Sequence, residues 1–167
     1  MKLPICELDA KSGVLCEKCK KKLEEGKITE LDVKVSQIIY ELNKMYNIED
    51  ASFEHAIDIG KVIVILTKGE VGILIGKKGR IIKELARRLG KAVRIVHYDK
   101  DTDINTFVAE LVGADSFVST NKIYKATGDV EYRAVIKKVH YKTEQDAKAL
   151  SALLSKVMGT TVHVQLV

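Results

Sequence analysis

The stretch from residue 75 to residue 82 combines two glycines, two adjacent lysines and flanking apolar side chains. Glycine at Gly76 and Gly79 lets the backbone turn sharply and lets a ligand approach without meeting a side chain. A helix predicted to begin directly after Gly79 points its unpaired N–H groups and its positive dipole end at the same place. Lys77 and Lys78 add full charges. The pattern predicts a binding site for a series of phosphates. The alternative is a helix–helix turn with solvated lysines.

All the cysteines of the chain lie near its N-terminus, at Cys6, Cys16 and Cys19. The two-residue gap between Cys16 and Cys19 lets both sulfurs face one tetrahedral ion. Cys6 supplies a third thiolate. Asp9 is a candidate fourth ligand, because the gap from Cys6 to Asp9 repeats the gap between the other two. We therefore predict a structural Zn²⁺ site at Cys6, Asp9, Cys16 and Cys19.

Other interpretations of the cysteine segment stay open at the level of sequence. Asp9 caps a turn in one of them, and the cysteines then serve as small apolar residues. A redox Cys-x-x-Cys pair is disfavoured, because the usual strand-then-helix setting is missing. An odd number of cysteines argues against a disulfide framework and favours a reduced, cytoplasmic compartment. The competing fourth metal ligands are His55, His97, His140 and His163.

Positive charge is concentrated around the glycine turn. The chain has a net charge of +5, yet residues 68–94 alone hold nine Lys or Arg against two Glu, a local +7 that leaves −2 for the remainder. A field focused on one region suits an anionic partner. Aromatic residues make up 5% of the chain and Trp is absent, so extensive base stacking is not expected. No apolar run reaches membrane-spanning length.

Helical and strand periodicities place the turn within a mixed α/β pattern. A helix capped by Thr29 and Asp32 is predicted first, followed by two strands. A short apolar helix then leads into the turn, and a basic amphipathic helix leads out of it to a C-cap at Gly90. The predicted elements are a helix to about Tyr46, strands at 53–59 and 62–67, helices at 71–75 and 80–89, and a strand from Val93.

Residues 75–82 read Ile-Gly-Lys-Lys-Gly-Arg-Ile-Ile and match in full the Ile-Gly-x-x-Gly-x-x-Ile signature of KH domains. The stretch resembles that family, in which the loop clamps the backbone of about four nucleotides. The element order over residues 30–98 resembles the type II arrangement, in which an extra helix and strand precede the motif. The resemblance implies binding of single-stranded RNA.

The resemblance also implies roles for individual residues. The loop amides and lysines would meet phosphates. Arg80 and Lys83 would extend the positive charge, and Ile75 and Ile82 would line a groove beside the loop. Ile63 or Ile65 is expected to form the apolar floor on which bases lie. Ile81, by contrast, is expected to pack in the core. The expected RNA-binding residues are Ile75, Gly76, Lys77, Lys78, Gly79, Arg80, Ile82 and Lys83.

The second half of the chain repeats the first with a shift of 69 residues, which lays Gly90 on Gly159 and Leu85 on Leu154. Two predicted strands, at 122–126 and 130–136, match the strand pair of the first half. The glycine loop is missing in this copy. Gln-Asp-Ala-Lys replaces it, and Thr143 with Asp146 is expected to cap the last helix. We therefore expect no phosphate clamp in the second copy.

The expected fold class is α+β: tandem type II KH domains, with three-stranded sheets packed on helices, after a small cysteine-rich segment. The expected domains are 1–29, 30–99 and 100–167. Tandem type II KH domains in a short chain resemble the archaeal NusA-like proteins, although the cysteine segment and the degenerate second motif depart from their pattern.

The NusA-like resemblance implies a transcription termination or antitermination factor that binds single-stranded RNA, with RNA polymerase or the ribosome as a partner. The alternative is a ribosome- or RNA-processing-associated adaptor that acts mainly as a protein-interaction scaffold. An enzyme is not expected. The sequence lacks paired catalytic carboxylates in a motif, a Ser-His-Asp pattern and a Walker-type loop.

Overall fold

The chain divides after Lys100 into two units, Met1–Lys100 and Asp101–Val167, and the computed structural model describes all 167 residues. The elements of the first unit are α1 (Glu7–Ser12), α2 (Glu17–Glu24), α3 (Glu30–Tyr46), β1 (His55–Asp58), β2 (Val62–Thr67), α4 (Val71–Ile75), a 3₁₀ turn (Lys77–Gly79), α5 (Arg80–Leu89) and β3 (Ala92–His97). Those of the second unit are α6 (Ile104–Val112), β4 (Phe117–Tyr124), β5 (Val130–Ile136), α7 (Glu144–Met158) and β6 (Val162–Leu166).

The sheet of the first unit determines where the glycine turn lies. Its strand order is β1-β2-β3, with β1 antiparallel and β3 parallel to β2. A parallel pair needs a long crossover connection, and here α4, the 3₁₀ turn and α5 provide it. The turn is therefore the joint between the two helices of a crossover whose ends are fixed in one sheet.

The core of the first unit is mainly aliphatic and holds α3 and α5 against this sheet. Leu42 of α3, Ile63 and Ile65 of β2, and Ile81 and Leu85 of α5 are all buried in one cluster. Burial of Ile81 agrees with the prediction. The expectation that Ile63 or Ile65 forms a floor for bases is wrong, because their exposed fractions are only 3% and 0%.

Asp32 joins the start of α3 to the first strand. The hydroxyl of Thr29 accepts from the Asp32 amide at 3.2 Å, and the Asp32 carboxylate accepts from the Thr29 amide at 2.9 Å, the predicted capping box. The same carboxylate accepts from the Ala56 amide at 2.7 Å and lies 3.2 Å from His55 Nδ1. Burial raises the pKa of Asp32, but the hydrogen bonds from His55, Ala56 and Thr29 outweigh it and hold the pKa below its usual value.

The second unit has the same strand arrangement, β4-β5-β6, with β4 antiparallel and β6 parallel to β5. Strand β5 and the start of α7 lie where the sequence predicted them. The first strand differs, since it begins at Phe117 rather than at residue 122 and ends at Tyr124. None of its residues is buried, so the hydrophobic alternation on which strand prediction depends is weak there. The helices of the two units are all too short or too polar to span a membrane.

Candidate nucleic-acid interface and metal centre

Gly76 ends α4 in a backbone conformation that only glycine tolerates at this position. Its φ is +77°, and its N–H donates to the Gly72 carbonyl at 2.9 Å. A β-carbon on Gly76 would lie 2.7 Å from Cγ1 of Ile81. The loop conformation and the packing of the next helix thus both depend on the missing side chain.

Gly79 is required for its backbone angle rather than for space. Its φ is +73°, while a β-carbon would meet only Ile82 and Lys83, at 3.6 Å and more. Lys78 precedes it with a φ of +56°, so two successive residues are left-handed. For a non-glycine residue this conformation costs about 1–2 kcal/mol, and such residues cluster at functional sites. The turn exposes both of its lysine side chains.

The N-terminus of α5 has neither a side-chain cap nor an acidic residue. Its N-cap is Gly79, and its first turn contains Arg80 and Lys83 but no Asp or Glu. Cations at this end of a helix oppose its dipole, so the arrangement is unfavourable until an anion arrives. In the second unit, the equivalent helix α7 is closed by a capping box between Thr143 and Asp146, as predicted.

Cations along α5 fall into two groups. Towards the C-terminus, Arg87 and Arg88 both bind Glu84, and Arg88 also binds Glu41 at 2.6 Å. Hydrogen bonds from Arg87 and Arg88 lower the pKa of Glu84 to about 2. At the end of α5 next to the glycine loop, none of the cations forms an ion pair with a carboxylate. These unpaired cations are Lys77, Lys78, Arg80 and Lys83.

Apolar surface remains beside the loop on the side chains predicted to line a groove. Ile75 precedes the turn and Ile82 follows it, and both are half-buried against the core. The structure adds Tyr46, which the sequence did not single out for RNA binding. Its ring lies under the guanidinium of Arg80, which is 4.8 Å from the ring centroid. Tyr46 ends α3, and nothing in the local sequence links it to the loop.

The sequence profile of the KH domain matches residues 37–167. This chain belongs to the KH-domain family, which implies RNA binding. Among solved structures, the chain is similar to one described as "Crystal structure of APE1850", with 24% identity and a TM-score of 0.49. That similarity covers 76% of this chain and 96% of the other. The search of curated proteins gave no match.

The fold also brings the three cysteines close together near the N-terminus. The ligand atoms of Cys6, Asp9, Cys16 and Cys19 lie within 4.8 Å of one another, as the sequence predicted for a metal site. Cys6 is the N-cap of α1 and Cys16 the N-cap of α2, and each helix adds the residue three positions on. Residues three apart share one face of a helix, so two helix starts supply four ligands.

The histidines named as competing fourth ligands each have a hydrogen-bonding partner elsewhere. The group of side chains that could hold a metal ion contains Asp9 and no histidine. The observed pairs are His55 with Asp32, His97 with Asp99, His140 with Asp115 and His163 with Glu131.

Geometry and burial in the cluster fit a single metal ion. The sulfurs of Cys6 and Cys19 are 3.6 Å apart, and tetrahedral Zn–S bonds of about 2.3 Å place two sulfurs about 3.8 Å apart. Asp9 and Cys19 are both buried. Hydrogen bonds from the Cys19 thiol and the Cys16 amide hold the pKa of Asp9 below its usual value, although burial opposes them. The pKa of Cys19 is raised to about 12, mainly by burial and secondly by its hydrogen bond with Asp9. A divalent cation would compensate both buried groups.

Proposed function

We propose that this KH protein binds single-stranded RNA by clamping the phosphate backbone at the loop from Gly76 to Gly79. The observation that carries the proposal is the group of cations without carboxylate partners at an uncapped helix N-terminus. Phosphates can approach the backbone of the turn closely because its glycines present no side chains, and the positive end of the α5 dipole lies at the same place. Lys77 and Lys78 neutralise the phosphate charge, and Arg80 and Lys83 extend the positive surface along α5.

Charge distribution supports a single clamp. The second unit contains eight acidic and eight basic residues, so its net charge is zero. Its α7 carries Glu144 and the capping carboxylate of Asp146 where α5 carries none. Both carboxylates repel phosphate, and the capping box already occupies the amides of Lys142, Thr143 and Asp146. We assign the second unit to contact with a protein partner rather than to backbone binding.

We further propose that both units are type II KH domains. Each has a helix, an antiparallel strand pair and a final strand parallel to the middle one. The crossover before that final strand contains α4 and α5 in the first unit and α7 alone in the second. The role that we favour is that of a NusA-like factor in transcription termination or antitermination, acting by binding and not by catalysis. An adaptor on the ribosome or on an RNA-processing complex is the alternative. Co-purification with RNA polymerase rather than with ribosomal particles would favour the first.

Fluorescence anisotropy with a labelled pool of random single-stranded RNAs tests the clamp. The variant Lys77→Asp/Lys78→Asp should lose binding while its thermal unfolding stays close to that of the wild type. The matched control is Lys137→Asp/Lys138→Asp, which makes the same charge change at an exposed lysine pair of the second unit. Wild-type affinity in the loop variant, or equal losses in both variants, would contradict the assignment.

A second proposal concerns the cysteine cluster, where Cys6, Asp9, Cys16 and Cys19 would hold a structural Zn²⁺. The 3.6 Å separation of the Cys6 and Cys19 sulfurs supports it. The ion would supply electrostatic compensation and link α1 to α2. This segment packs on α3 through a small cluster that includes Ile5, Cys19 and Ile28. Metal content separates this role from a thiol redox role, because a bound ion occupies the thiolates.

A further inference from the structure

Arg80 and Tyr46 come together from two different helices at the edge of the glycine loop. Arg80 is the first residue of α5 and Tyr46 is the last residue of α3. The Tyr46 ring packs against the core of the first unit and is half-buried. The Arg80 side chain is exposed, with its guanidinium 4.8 Å from the ring centroid. A ring fixed by the core therefore supports a charged group that faces solvent.

A guanidinium stacked on an aromatic face keeps its in-plane N–H groups available. Those groups match the geometry of a phosphate and can bind it through two parallel hydrogen bonds. Arg88 on the same helix illustrates the other case, since its N–H groups bind Glu84 and Glu41. Arg80 has no ion pair with a carboxylate. Its N–H groups are therefore not committed to an acidic side chain.

Stacking also restricts the conformations of a long and flexible side chain. Ordering an arginine on binding costs conformational entropy, and a support that already orders it lowers that cost. The place where the ring holds Arg80 matters, because α5 begins there without a cap or an acidic residue. A phosphate beside the loop would meet the helix N-terminus and the Arg80 guanidinium together.

We propose that Tyr46 is a positioning residue for RNA: its ring holds the guanidinium of Arg80 beside the Gly76–Gly79 loop, where the guanidinium binds a backbone phosphate through two N–H groups. The proposal rests on the proposed function of the loop. It assigns to RNA binding a residue outside the signature motif, and it gives Arg80 a directed contact rather than a general electrostatic one.

A double-mutant cycle tests this coupling with the same labelled RNA pool and the full-length chain. Tyr46→Leu removes the aromatic face and keeps apolar packing, and Arg80→Gln removes the charge and keeps most of the length. Tyr46→Leu should weaken binding about two- to five-fold, the usual effect of a cation–π contact. Arg80→Gln should weaken binding more and reduce the salt slope by about 0.7. Tyr46→Leu should then have no further effect in the Arg80→Gln background, because contacting residues are not additive.

Tyr46→Phe is the matched control, since it keeps the aromatic face and loses only the hydroxyl. It should bind as the wild type does. Equal losses from Tyr46→Leu with and without Arg80 would overturn the proposal and show that Tyr46 either packs the core or stacks a base. A loss in Tyr46→Phe as large as in Tyr46→Leu would also overturn it. Thermal unfolding of each variant separates these outcomes from loss of the fold.

Failure of this inference is distinguishable from failure of the clamp. If the wild type binds RNA and Lys77→Asp/Lys78→Asp does not, the loop is the site whatever Tyr46 does. Wild-type affinity of Tyr46→Leu in that situation would refute only the positioning role. If the loop variant binds as the wild type does, the clamp itself is refuted.

Discussion

The side chain of Ile81 occupies the space that a β-carbon on Gly76 would need, with Cγ1 only 2.7 Å from that position. Ile81 is buried in the core between α5 and the sheet, so it cannot move aside without loss of packing. One residue of the glycine loop is thus tied directly to the hydrophobic core.

Gly76→Ala should therefore destabilise the protein more than Gly79→Ala. Both substitutions impose a backbone penalty of about 1–3 kcal/mol, because both glycines have a positive φ. Only Gly76→Ala adds overpacking, which typically costs about 1–3 kcal/mol. Urea denaturation of the two variants provides the comparison. Equal free energies of unfolding would show that the loop can shift away from Ile81.

Gly79→Asp should abolish RNA binding and leave a folded protein. A carboxylate there faces the phosphates, but a β-carbon meets nothing closer than 3.6 Å, so the cost to stability is mainly the backbone angle, about 1 kcal/mol. Anisotropy and a thermal melt measure the two effects. Gly79→Asn is the control, since it has nearly the same shape without the charge. If Asn and Asp weaken binding equally, backbone geometry rather than charge is decisive.

RNA affinity should depend moderately on salt. A loop that neutralises three or four phosphates predicts a slope of log affinity against log salt of roughly −2 to −3, at about −0.7 per contact for single strands. Titrations at several salt concentrations give the slope. A slope near zero would mean that uncharged contacts dominate, and a much steeper one would require cations outside the loop.

The purified protein should contain one zinc ion per chain. Cys16→Ser and Asp9→Asn should both lower zinc affinity, the first more strongly because it removes a thiolate. Elemental analysis and the absorption spectrum of the Co²⁺-substituted protein are the measurements. Ser12→Ala, at an exposed position of the same segment, is the control. Full zinc content in Asp9→Asn would remove Asp9 from the ligand set, and no metal in the wild type would refute the site.

Stability should fall in acid partly through Asp32. Its pKa is lower in the folded protein than the usual value of about 3.9, so folding favours the ionised carboxylate. That contribution is complete above the unfolded-state pKa and is lost as the pH falls through the folded-state pKa. Asp32→Asn should be less stable at neutral pH and should lose less stability than the wild type between pH 5 and pH 3 (about the range of carboxylate titration). Parallel acid profiles of the two proteins would show that Asp32 does not drive the loss.

Structural features that depend on residues only a few positions apart could be predicted from the sequence. The capping boxes at Thr29 and Thr143 use a side chain and an amide three residues apart, so spacing alone specifies them. The cluster of Cys6, Asp9, Cys16 and Cys19 follows the same logic, because each pair begins a helix and shares its face. The strand and helix order from α3 to β3 also follows from local periodicity.

Contacts between elements distant in sequence were decided only by the tertiary structure. The sequence offered Ile63 and Ile65 as a surface for bases, but packing of α3 and α5 on the sheet buries both. The stacking of Arg80 on Tyr46 depends on how α3 and α5 pack, and no local spacing records it. Short-range hydrogen bonds and helical faces are properties of a segment, whereas the burial of a side chain depends on which segments the whole core brings together.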